Sequence, residues 1–170
     1  MTFNNNCNDR LNRIIIVIML FIIALLVAYI IYDQINEHFN DKDPKLSELK
    51  NNLKTLFDSK EKSGEKWTGN LENLNNRKDI LEQIKLYVGS KSYTINKSKI
   101  YMCLKDENGN YYDDNSLMFV LLHELAHVIC KSIGHTNEFQ EIFNDLLSEG
   151  AKARIYNPNI PMVKKYCGHD

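Results

Sequence analysis

Net charge is almost absent from this chain: 21 Lys and Arg face 22 Asp and Glu, leaving −1 over 170 residues. That balance removes the reason to expect nucleic acid or another polyanion as partner. No internal repeat is visible, and low complexity is confined to the Asn-rich start. The four cysteines, Cys7, Cys103, Cys130 and Cys167, contain no pair at zinc-ribbon spacing. A thiolate metal site of that type is therefore not expected.

Apolar residues are unevenly placed. Residues 14–32 (IIIVIMLFIIALLVAYIIY) run for 19 positions without a charge. As a helix they would span roughly 28 Å, close to the hydrocarbon thickness of a bilayer. A buried soluble helix would show some polar face. A cleaved signal peptide would have a shorter apolar core and an A-x-A site after it, which is missing. The run is therefore expected to be an uncleaved single-pass transmembrane helix preceded by a tail, residues 1–13. Arg10 and Arg13 precede it while Asp33 and Glu37 follow, so the positive-inside rule puts the N-terminus in the cytoplasm and the rest on the far side. Lys42 and Lys45 weaken that bias. The sequon Asn96-Lys97-Ser98 suits a lumenal domain, although such tripeptides are common.

Residues 33–45, charged and broken by Pro44, read as a stalk, leaving 46–170 as the folded domain. Leu46, Leu49, Leu53, Leu56 and Phe57 recur at helical spacing and predict an amphipathic helix over 45–58. Residues 59–70 read as loop, with Trp67 packing inward. A second helix is expected over 79–88, from Asp79 to Gly89. The period then changes: residues 93–95 and 99–104 are β-branched and aromatic, and Asp106–Gly109 is a turn signal. They predict two or three short antiparallel strands, with Tyr111 and Tyr112 on a return arm. Asp113, Asp114 or Asn115 can cap the next helix.

That helix carries the chemistry. In residues 117–130 (LMFVLLHELAHVIC) the only strongly polar side chains are His123, Glu124 and His127. A helix apolar on every side is a buried one, and a buried carboxylate is costly without compensation. Residues four apart project side by side, so His123 and His127 can share one cation, with Glu124 beside the open position where water would sit. Neutral imidazoles as ligands and a carboxylate working on the activated water point to a zinc hydrolase.

A catalytic zinc site needs a third protein ligand. His135 follows His127 by eight residues, about 12 Å along a continuous helix and out of reach. Gly134 can adopt the left-handed conformation that ends a helix and turns the chain back. Thr136 or Asn137 can then cap a helix whose stripe is Phe139, Ile142, Phe143, Leu146, Leu147 and Ala153. We take His135 as the third ligand, with Glu149, at the edge of the same stripe, as its rival. Glu138 and Glu141 read as solvated helix charges, and His38 and His169 as bystanders. Downstream, Tyr156 and Tyr166 could assist an oxyanion but read as packed tyrosines. Of the cysteines, Cys103 with Cys167 is the pairing to test, all-reduced being equally compatible.

Residues 123–139, HELAHVICKSIGHTNEF, resemble the zincin superfamily of metallopeptidases. The HELAH, the Gly-His turn and the Phe four residues after the last His resemble its WLM and SprT-like groups. The block 93–158 also resembles small membrane-anchored metallopeptidase-like proteins of large DNA viruses, through IYMCL at 100–104, YDDN at 112–115 and IYNP at 155–158. The resemblance covers less than half of the chain. It implies an α+β zincin-like core, a small sheet packed on the HExxH helix and a second C-terminal helix. It also implies His123, His127 and His135 as ligands to one Zn²⁺, with Glu124 as general base. The DNA-crosslinked substrates known for WLM and SprT-like enzymes do not suit a membrane-anchored chain with no basic patch. The His127–His135 spacing departs from the shorter metzincin pattern, and no Met-turn can be assigned.

The expected activity is therefore that of a membrane-tethered zinc endopeptidase, in a viral or host membrane, acting on protein or peptide. The strand around 101–104 could offer an edge for an extended substrate. A catalytically inactive, membrane-tethered interaction domain with a structural zinc is the alternative, against which Glu124 argues, because a structural site needs no base. A zinc hydrolase of non-peptide substrates is a third.

Overall fold

The computed structural model describes residues 3–40, 42–77 and 79–168, and within them the side chains of all but 3–9, 11 and 33–40. The side chains of Cys7, Asp33, Glu37 and His38 lie outside that description, as does His169. The chain divides into two compact units, residues 1–39 and 40–170.

The first unit is one helix, α1 (Phe3–Asn40). Its described side chains from residue 12 to 32 are all exposed. Asn12–Tyr32, 21 residues, is long and apolar enough to cross a membrane, properties it shares with N-terminal signal sequences. Residues 33–40, expected in the irregular stalk, continue the helix instead. Helix α1 ends at Asn40, and Asp43, the residue before Pro44, is kept out of the helical region by the proline ring. Asp43 is extended (φ −64°, ψ 125°), and its carboxylate accepts from the Lys45 N–H to cap α2 (Pro44–Ser63).

The second unit is α+β. Helix α2 buries Leu46, Leu49, Leu53 and Leu56, as their spacing predicts. A 3-10 helix (Gly69–Asn76) and the short α3 (Ile80–Gln83) follow, and Trp67 is buried before them. The expected helix over 79–88 ends after α3, and Lys85–Val88 is strand β1. Leu86 and Tyr87 are buried by pairing in a sheet, a tertiary gain that outweighs local helical spacing.

Strands β2 (Tyr93–Ile95) and β3 (Lys99–Met102) form the expected antiparallel hairpin. Its turn residues Asn96 (φ 50°) and Lys97 (φ 51°) are both left-handed, the twist that suits a tight hairpin. The sheet is nevertheless mixed. Its order is β1-β3-β2, with β1 parallel to β3. Strand β3, expected to offer an edge, is therefore central, and β1 and β2 are the edges. Ile100 and Met102 point into the core. On the other face Tyr87, Tyr101 and Tyr93 sit in register and stack at 5.1 and 4.7 Å, a cross-strand ladder.

Helix α4 (Asp114–Ile129) passes through the core, capped by Asp113, whose carboxylate accepts from Ser116 N at 2.9 Å. Helix α5 (Asn137–Lys152) packs on it. Their approach is close: a Cβ on Gly150 would lie 3.0 Å from Leu122 Cδ1. Phe139, Ile142, Phe143 and Leu146 of the stripe are buried, and Leu147 and Ala153 only partly so.

After α5 the chain returns across α4 as a strap without regular structure. Asn157 N donates to Asn115 Oδ1 at 2.7 Å and Val163 N to Ser116 Oγ at 3.2 Å. A Cys103–Cys167 disulfide ties the strap's end to the residue after β3. Cys130 is a buried free thiol. Closing 64 residues of chain constrains the unfolded state by about 4 kcal/mol in the chain-entropy view. Reduction, or Cys103→Ser, is expected to lower domain stability by about 2–4 kcal/mol. Denaturant unfolding of the full chain in detergent, with and without reductant, measures this.

Candidate metal centre

The His123 and His127 side chains leave α4 on one side, one turn apart, with ring centroids 5.0 Å apart. His135 arrives from the α4–α5 loop. Gly134 is left-handed as expected (φ 84°), but it does not end the helix. Helix α4 stops at Ile129, and Cys130 is already extended. Lys97, on the β2–β3 turn, donates its ammonium to the carbonyls of Cys130 and Lys131, a cation at the helix C-terminus. Glu138, read as a solvated charge, instead clamps the loop. Its carboxylate accepts from Ser132 Oγ at 2.5 Å and from the N–H groups of Ser132 and Lys131, which pull its pKa down to about 2. Thr136 caps α5 by accepting from Phe139 N.

These constraints bring ligand nitrogens of His123, His127 and His135 within 4.8 Å of one another. The Nε2 atoms of His135 and His123 are 3.0 Å apart. Ligand nitrogens in a tetrahedral zinc site sit roughly 3.3 Å apart, so the spacing fits a shared cation. Phe139, fully buried, is the wedge that seats them. Its ring stacks on His127 at 4.3 Å and meets the rings of His123 and His135 at 4.9 and 4.8 Å. Burial, then the neighbouring His127 and His135, pull His123 down to about 4, and burial also lowers His127. At neutral pH both imidazoles are uncharged with lone pairs available. Together with a nitrogen of His135, these could hold a metal ion.

Glu124 is only 4% exposed. Burial raises its carboxyl above the ordinary range, and Thr94 draws it part of the way back. The Thr94 hydroxyl, on edge strand β2, lies 2.8 Å from Glu124 Oε2 and 3.1 Å from its carbonyl oxygen. Nothing in the residues around Thr94 marks it in advance; only the β2–α4 packing reveals it. The rival ligand Glu149 is elsewhere, paired with Lys60 at 2.7 Å and Lys152 at 2.8 Å.

A cleft of about 640 Å³ opens beside His123 and Glu124. Phe119 and Val120 line it from α4, Lys91 and Ser92 from the β1–β2 turn, and the strap from the other side. Tyr166 lines it too, but its hydroxyl donates to the Cys103 carbonyl at 2.5 Å and burial pushes its pKa up to about 12. Tyr156 packs toward Phe119 at 6.0 Å and lines a different hollow. Both are held as packed tyrosines.

Two outcomes follow. Thr94→Val strips the buried carboxylate of its donor and is expected to cost about 1–3 kcal/mol. His135, being exposed, should be dispensable for the fold: His135→Ala changes metal-free stability by about 0.5 kcal/mol or less. The same variant should lose most of the stabilisation that a divalent metal confers, about 2.7 kcal/mol at hundredfold excess over Kd. Unfolding midpoints with and without Zn²⁺ read both variants.

Comparison with known proteins finds relatives among viruses. Uncharacterized protein 136R of invertebrate iridescent virus 6 is 47% identical over 125 residues, 72% of this chain and 70% of that protein. Uncharacterized protein 042R of invertebrate iridescent virus 3 is 46% identical over 100 residues, 58% of this chain and 62% of the relative. Uncharacterized protein R325 of Acanthamoeba polyphaga mimivirus is 37% identical over 93 residues, 51% of this chain and 46% of the relative. No protein-family model and no solved structure matches the chain. On the extent of the first of these matches, the chain belongs to the family of protein 136R of invertebrate iridescent virus 6.

Proposed function

We propose that this chain is a membrane-tethered zinc peptidase of zincin-like architecture, with His123, His127 and His135 as ligands and Glu124 as general base. The observation that carries the reading is the convergence of three imidazoles beside a buried carboxylate at the wall of a cleft. When bound, zinc supplies Lewis acidity that brings the pKa of water toward neutrality and polarises a carbonyl.

The chain's own groups have separable tasks. The three imidazoles hold the cation, and Phe139 fixes their rings by stacking and edge contacts. Glu124, whose proton affinity burial increases, accepts a proton from the attacking water and can return it to the leaving amine. The Thr94 hydroxyl orients that carboxylate through Oε2. The apolar wall of Phe119 and Val120 limits competing water. A free backbone edge at β2, next to Glu124, takes over the substrate-pairing role expected of β3.

In this reading the apolar stretch of α1 stays in a viral or host membrane as the anchor. Arg10 and Arg13 before it favour a cytoplasmic N-terminus, and a Cys103–Cys167 disulfide suits an oxidising compartment for the domain. Asn96, in the sequon, is exposed at the hairpin tip, as glycosylation in such a compartment would require.

The test uses the purified full chain in detergent beside Glu124→Gln, measuring metal content and peptide-library cleavage. Both proteins should carry one zinc, and the Glu124→Gln variant should cleave about 10²–10⁴-fold more slowly. Zinc in both with no cleavage by either would favour the structural-zinc interaction domain. Absence of zinc from both would sink the metal site itself.

A further inference from the structure

The cleft beside His123 and Glu124 has a charge the whole chain lacks. Lys91, Lys164 and Lys165 all line it, and Glu124, buried beneath the Thr94 hydroxyl, is its only acid. Four lysines elsewhere in the domain, Lys45, Lys60, Lys105 and Lys152, each pair with a carboxylate. Among the described residues the three cleft lysines form no ion pair. In a chain of net charge −1, three unneutralised cations around one concavity make a local positive field, which a low-dielectric wall focuses.

One of these lysines, and the cysteine two residues on, sit on a backbone held against its own preference. Lys165 (φ 61°) and Cys167 (φ 51°) are left-handed without being glycine, a conformation that persists only where its surroundings over-determine it. The surroundings here are the Cys103–Cys167 disulfide and three hydrogen bonds. Tyr166 donates to the Cys103 carbonyl, Cys167 N to Tyr112 Oη at 2.9 Å, and Val163 N to Ser116 Oγ. The strap thus holds Lys164 and Lys165 at a fixed wall of the cleft.

We propose that this cleft selects a polypeptide segment carrying acidic side chains next to the bond to be cleaved, with Lys91, Lys164 and Lys165 as its specificity residues. The proposal rests on the peptidase reading for the word cleaved, but the recognition it describes is independent of turnover. A small anion would use only the ammonium groups. An acidic peptide also covers Phe119 and Val120, in a cleft whose size is typical of binding pockets.

The test is fluorescence anisotropy with the full chain in neutral detergent, zinc-loaded and carrying Glu124→Gln to prevent turnover. The probes are a labelled Asp/Glu-containing heptapeptide, its Asn/Gln counterpart and a short single-stranded oligonucleotide. The acidic peptide should bind roughly tenfold tighter than its amide counterpart, an advantage that added salt erodes. Lys91→Glu should abolish that advantage while leaving the amide peptide unaffected. Lys164→Gln with Lys165→Asn should do the same, asparagine being chosen because it tolerates the left-handed backbone. Because Lys91 lies outside the strap, misfolding of the strap variant would not obscure the result. Equal binding of the two peptides, or an advantage that survives both variants, overturns the proposal, as does tighter binding of the oligonucleotide. Charge-dependent binding without cleavage by the unmodified chain would overturn the peptidase reading alone. Cleavage indifferent to acidic residues would overturn the cleft proposal alone.

Discussion

A carboxylate in the middle of the most buried helix costs several kcal/mol unless its surroundings accommodate it. Much of the second unit's arrangement around Glu124 does so. Strand β2 is placed where the Thr94 hydroxyl reaches Oε2, and the imidazoles on either side of Glu124 in sequence are neutral. Among the described residues no buried side-chain oxygen or nitrogen lacks a partner. A buried carboxylate beside two neutral imidazoles is the arrangement on which the proposed general base rests.

The same site depends on a second constraint, the close crossing of α4 and α5. Gly150 lets α5 approach Leu122, and about three turns earlier on the same helix Phe139 sits among the three imidazoles. The loop between the helices is short, so its geometry must be tightly set to return His135. Lys97 and Glu138 supply that from opposite ends, one holding the Cys130 and Lys131 carbonyls and the other the following N–H groups. The strap adds a wall by the same logic, its left-handed residues secured through a covalent bond to the end of β3.

Much of this was legible residue by residue. The Leu46–Leu56 spacing announces α2, the cap candidates at 113–115 and 136–137 bracket the starts of α4 and α5, and the stripe from Phe139 marks the face of α5 that packs. The failures share a cause. Residues 79–88 carry apolar groups at helical spacing, yet Lys85–Val88 pairs in parallel with β3, which arrives only after β2 has intervened in the chain. No local period encodes a partner supplied from elsewhere. For the same reason β3 looked like an edge, Glu138 like a solvated charge, and Thr94 like nothing at all.

By itself the sequence determined the apolar length of α1 and the side-by-side projection of His123 and His127 with Glu124 between them. Both follow from the rise and period of a single helix. Only the tertiary structure decided that His135 and not Glu149 meets those two, that Cys103 pairs with Cys167, and that three scattered lysines share one cleft. Each of these joins residues distant along the chain, whose separation is set by how loops close and helices cross. Helical geometry reaches one or two turns; beyond that, packing chooses.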